Sequence, residues 1–103
     1  MRIIQITPNL SYGDAVGNDI LALYKLFCNL NIDTKIYAIT IGARVPKGVA
    51  ESFCKMPKPD KNDILVYHMC TSCEQIRDYM LECDCRKIMI YHNIFIIKLT
   101  KLC

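Results

Sequence analysis

The 103-residue chain has no run of 18 apolar residues to span a bilayer, and the apolar stretch after Met1-Arg2 is too short for a secretory signal. It carries no Gly-x-Gly-x-x-Gly dinucleotide fingerprint and no Gly-Lys-Ser/Thr phosphate loop. A strong charge of one sign is missing too. The net charge is only +3, with no arginine-rich helix, no RNA-binding aromatic signature and no zinc-finger spacing, so nucleic acid is not an expected partner. Lacking a signal and a membrane span, the chain is expected in the cytoplasm. Its seven cysteines are an odd number and are expected there as free thiols.

What is present describes one globular domain: 52% of residues are hydrophobic and 22% charged. Two of only four glycines, Gly13 and Gly17, fall in one short loop, Ser11-Tyr12-Gly13-Asp14-Ala15-Val16-Gly17-Asn18-Asp19. The loop separates the apolar run Ile3-Ile4-Gln5-Ile6 from a periodic segment. Free N–H groups at a helix start would face it, which suits an anion or a sugar hydroxyl. The plainer reading is a tight strand-to-helix turn whose glycines serve packing. Asp14 is most simply the N-cap, and secondly an acceptor for a substrate hydroxyl.

The first strand is expected over 2–7, closed by Pro8, which has no N–H for a ladder. A helix follows over about 15–29, with Ile20, Leu23, Tyr24, Phe27 and Leu30 as one apolar stripe. The second strand spans 35–39, which makes a βαβ unit. Residues 42–62 hold three prolines and five basic residues and read as a solvated connection, in which only 49–54 could form a short strand or helical turn. Their basic residues are an exposed face or, less simply, a surface for an anionic lipid or phosphorylated acceptor.

A buried strand at 63–68 precedes Thr71 and Ser72, which with Glu74 and Gln75 form a potential capping box. The helix it opens aligns Ile76, Tyr79 or Met80, and Cys83. A last strand spans 86–92. Continuous apolar strands alternating with helices predict an α/β fold, a parallel sheet with helices on both faces. Ligands in such sheets bind beyond the carboxyl ends of the strands, and the glycine loop, His68 and His92 all map there.

Cys70-Thr71-Ser72-Cys73 has the placement of a redox C-x-x-C, where a helix N-terminus would favour the thiolate. Cys70, Cys73, Cys83 and Cys85 do not make a zinc set with His68, because a helix from 73 to 83 would separate its ends by about 15 Å. No metal site is expected. Cys28 and Cys83 map to apolar helix faces, as small hydrophobes.

Arg2-Ile3-Ile4-Gln5-Ile6-Thr7-Pro8, Tyr12-Gly13-Asp14-Ala15-Val16-Gly17-Asn18-Asp19, Ile64-Leu65-Val66-Tyr67-His68-Met69 and Ile90-Tyr91-His92-Asn93-Ile94 together resemble the N-terminal domain of GT-B glycosyltransferases of the family 4, or "group 1", type. The resemblance covers residues 1–94. It implies a Rossmann-like acceptor-side domain that faces a second, donor-binding domain across a cleft. It also implies a retaining, metal-independent hexosyl transfer from a nucleotide diphosphate sugar to a glycan or lipid-linked acceptor, with no further cofactor and at most peripheral membrane contact. His92 would sit beside the transferring sugar as the catalytic residue. Tyr12, Gly13, Asp14 and Gly17 would line the cleft, and His68 would border the acceptor.

Two stretches depart from the family pattern. Cys70-Thr71-Ser72-Cys73 stands where relatives look more like Ser-Thr-Gly-Thr. Residues 95–103 form a divergent apolar tail in place of Thr-Pro-Pro and a second domain. The expectation is therefore a truncated half of a transferase in polysaccharide biosynthesis, inactive alone. The alternative is a small stand-alone α/β binding or thiol-redox module that uses Cys70 and Cys73.

Overall fold

The computed structural model describes residues 1–69 and 73–91. In chain order the elements are β1 (Arg2–Leu10), α1 (Ala15–Asn29), β2 (Asp33–Ile41), β3 (Ala50–Ser52), a 3-10 turn at Phe53–Lys55, β4 (Ile64–Met69), α2 (Glu74–Glu82) and β5 (Arg86–Tyr91). The five strands form one parallel sheet in the order β3-β2-β1-β4-β5. This is a Rossmann-like α/β arrangement.

Strand alternation sorts the core into two layers. Ile36 and Ala38 of β2 meet Ile20 of α1 on one face, while Tyr37 between them joins Ile4, Ile6, Leu65 and Tyr67 beneath Ile76 and Met80 of α2 on the other. The helices therefore cover opposite faces. No helix spans the crossover from β3 to β4. Phe53 and Met56 cover the sheet there instead, with the Phe53 ring edge-on to Tyr79 of α2 at 5.3 Å between centroids.

Several boundaries differ from the sequence expectations. Pro8 does not close β1, which pairs with β2 as far as Leu10 and skips only the proline. The strand tolerates Pro8 because its pairing with β4 ends at Ile6, leaving that stretch bonded on one side only. The connection over 42–62 is not wholly solvated: it contributes β3 and buries Val45, Phe53 and Pro59.

Apolar content also overstated burial at three places. Of the α1 stripe, Ile20 is buried, Tyr24 packs on the second core cluster, Leu23 and Phe27 are half-buried, and Leu30 lies exposed. Cys28 is exposed rather than packed, whereas Cys83 is buried as expected. Ile88, Met89 and Tyr91 of β5 are exposed although their strand reads as apolar. The reason is position: β5 is the sheet edge, with β4 as its only ladder neighbour among the described residues.

The start of α2 is different as well. Its N-cap is Cys73, which makes no side-chain capping bond, and the Thr71 and Ser72 of the expected capping box lie outside the described residues.

Candidate functional site

The chain reverses its direction of travel across the sheet between β1 and β4. From β1 it crosses α1 to β2 on one side, and from β4 it crosses α2 to β5 on the other. In open α/β sheets ligands bind at such a switch point, beyond the carboxyl ends of the two strands. The glycine loop leaves β1 there, and His68 stands near the end of β4.

Within the loop the two glycines do different things. Gly13 has φ +101°, and a Cβ on it would find no atom within 4 Å, so its backbone is open on the rim in a conformation that suits glycine. Gly17 is buried. A Cβ on it would lie 1.8 Å from the Ser11 carbonyl oxygen, so the first turn of α1 can press on the loop only without a side chain.

Asp14 is the N-cap, and its carboxylate accepts from the Gly17 amide at 2.6 Å. The anion-binding capacity of this helix start is thereby partly taken up by the chain's own carboxylate. Tyr12 is exposed, and the Arg44 guanidinium lies over its ring, 5.8 Å from the centroid. Sequence reasoning placed Arg44 only among the basic residues of 42–62 and could not pair it with Tyr12, because 32 residues of chain separate the two.

His68 is fully buried on the α1 side of the sheet, beneath the rim rather than on it. Its Nε2 lies 2.6 Å from Gln5 Oε1, and the Gln5 Nε2 donates to the Ile20 carbonyl of α1 at 3.3 Å. An amide oxygen only accepts, so His68 Nε2 carries the proton in this contact. Gln5 thus ties β1, β4 and α1 together by hydrogen bonds. The sequence signal was available: a lone glutamine inside Ile3-Ile4-Gln5-Ile6 must find polar partners once buried.

At the opposite end of the sheet Asp63 is buried and accepts from the Arg2 backbone amide at 3.0 Å, the Arg2 guanidinium at 2.7 Å and the Asp60 amide at 2.7 Å. The Arg2 hydrogen bond, helped by the backbone donors, holds the Asp63 carboxyl down at about 2 against the opposing effect of burial.

Cys73 is half-buried at the start of α2, and Cys70 lies outside the described residues, as does His92. Burial pushes the Cys85 thiol up, and burial together with Cys83 raises the Tyr79 phenol to about 12. No three His, Cys, Asp or Glu side chains converge as a metal-holding group among the described residues. No helix among them is long and apolar enough to cross a membrane.

Comparison with models of known families, with curated proteins and with solved structures finds no match. The geometry of the site is what bears on its function. The loop around Gly13 offers exposed backbone and the Tyr12–Arg44 pair, while Gly17, Asp14, Gln5 and His68 hold that loop and the strands below it in place.

Proposed function

We propose that the chain is the acceptor-side half of a retaining glycosyltransferase of the GT-B kind. The full enzyme would move a hexose from a nucleotide diphosphate sugar to a hydroxyl of a glycan or lipid-linked acceptor. One observation carries this reading: the Tyr12-Gly13-Asp14 loop stands at the switch point of a parallel sheet ordered β3-β2-β1-β4-β5. The reading also draws on the likeness of the 12–19 and 64–69 segments to that family.

On this reading Gly13 brings exposed backbone up to the sugar or its diphosphate, and Tyr12 supplies a ring for a sugar to stack against. The capped start of α1 keeps the loop fixed, and His68 with Gln5 holds β4 and α1 in register below it. The rate would come from positioning and from stabilising the leaving diphosphate in a closed cleft, of which this chain forms one wall. His92 follows β5 directly in sequence, and its role rests on the family likeness.

The test is calorimetric titration of the purified chain with several nucleotide sugars, alongside an assay of sugar release. One wall of a cleft has no base pocket and no lid, so binding should be millimolar or weaker, about −4 kcal/mol at best. Its amide resonance shifts should cluster at residues 11–17. Micromolar affinity or turnover by this chain alone would overturn the half-site reading, and shifts confined elsewhere would overturn the site.

A further inference from the structure

The edge strand β5 carries apolar side chains into solvent on both faces of the sheet. Ile88, Met89 and Tyr91 are 49%, 55% and 56% exposed. In the ladder with β4, Val66 and His68 pair with Ile88 and Ile90, whereas Tyr67 and Met69 pair with Met89 and Tyr91. Ile88 and Ile90 therefore stand on the α1 side of the sheet, and Lys87, Met89 and Tyr91 on the α2 side. Among the described residues β4 is the only strand paired with β5, so the outer backbone groups of β5 form an edge to which another strand can add.

The charges on this edge select how a strand can add. Arg86 and Lys87 are exposed at its start, and nothing in Arg86–Tyr91 is acidic. A parallel copy of the same strand in register would set Arg86 against Arg86 and Lys87 against Lys87, which is unfavourable. An antiparallel copy related by a two-fold axis at Met89 sets no like charges opposite each other. Met89 then meets Met89 of the second copy, Lys87 meets Tyr91, and Ile88 meets Ile90. One face of that seam is four isoleucines. The other is two methionines flanked by two lysine–tyrosine pairs, in which an ammonium can lie on a ring.

The edge thus matches itself on both faces. We propose that β5 pairs with β5 of a second copy of this chain, antiparallel about Met89, so that two five-stranded sheets continue as one. The two-fold arrangement uses both β5 edges, so association through this strand stops at two copies. The contact is one six-residue strand from each side, well short of the roughly 800 Å² per partner of a standing complex. The dimer is therefore a weak one, with a dissociation constant between about 10 µM and 1 mM. The proposal does not rest on the transferase reading. The seam lies beyond β4 from the Gly13 loop, and association is measured without a nucleotide sugar, so failure of either reading can be told from failure of the other.

The experiment is sedimentation equilibrium of the full chain from about 10 µM to about 1 mM, with amide resonances followed over the same range. The mass should climb from one copy toward two, and the amides of residues 87–91 should move with concentration. Met89→Lys sets two lysines against each other on the axis and should weaken association at least tenfold. Tyr91→Lys should do the same by facing Lys87 of the second copy. Adding Lys87→Glu to Tyr91→Lys restores opposite charges in this register alone, and should return association to within threefold of the wild type. All three positions are exposed, so melting temperatures at low concentration should stay within a few degrees. A single copy at the highest concentration, species larger than two, or shifts centred on the exposed Leu26 and Leu30 of α1 would each overturn the proposal. So would indifference to Met89→Lys, or a double variant no better than Tyr91→Lys alone.

Discussion

Arg2 and Asp63, 61 residues apart, are joined by a guanidinium-to-carboxylate contact of 2.7 Å that fixes the start of β1 beside the residue that leads into β4. Because the Arg2 backbone amide donates to the same carboxylate, the side chain and the main chain of one residue are anchored together. This sets the register of the two strands whose far ends flank the switch point.

Asp63→Asn should therefore destabilise the fold by about 2 kcal/mol, the range for hydrogen bonds to a charged group. The folded carboxyl titrates at about 2, below its ordinary 3.8, so its contribution is fully present above about pH 4 and is lost as the pH falls toward 2. Urea melts between pH 2 and 5 should show the wild type weakening on acidification, with a flatter profile in the variant. Identical acid limbs would show that the pair contributes nothing.

The glycines of the loop should separate by cause. Gly17→Ala places a Cβ 1.8 Å from the Ser11 oxygen, and the main chain must shift. A loss of about 3 kcal/mol or more is expected. Gly13→Ala meets no atom and is opposed only by its positive φ, for about 1 kcal/mol. Asp14→Ala should also cost about 1 kcal/mol, through loss of the cap. Thermal unfolding of the three variants checks the order, and a Gly17→Ala protein as stable as the wild type would contradict the packed-loop geometry.

Gln5→Leu fits the apolar strand yet removes one hydrogen-bond partner from both His68 Nε2 and the Ile20 carbonyl. The change should cost about 1–3 kcal/mol despite the gain in hydrophobicity, since a buried polar bridge between β1, β4 and α1 is broken. Hydrogen exchange should quicken across β4 and the middle of α1, while the far edge at β3 is little affected. A stabilised Gln5→Leu protein would show that the buried polar bridge is not needed.

Cys73 occupies an N-cap without capping, and serine is among the favoured residues there. Cys73→Ser, alone or with Cys70→Ser, should hold stability within about 0.5 kcal/mol of the wild type or raise it slightly. Denaturant midpoints measure this. A large loss, or thiol–disulfide exchange activity that disappears in the variant, would favour the thiol module over the transferase half.

The sequence by itself determined four of the five strands, both helices and their alternation. Helix 15–29 follows from apolar periodicity and the Asp14 cap, and the parallel sheet follows from apolar strands separated by helices. These are local signals, carried by residues within a turn or two of one another, and no distant partner is needed to read them. The tertiary structure alone decided that Asp63 pairs with Arg2, that His68 is buried against Gln5, and that Arg44 comes to rest on Tyr12. It also decided that the apolar β5 is an exposed edge and that β1 runs on past Pro8, since both depend on which strands stand alongside. Partners 32 to 63 residues apart leave no periodic trace in the chain. Their pairing is fixed only when the sheet brings them together and burial obliges each polar group to find another.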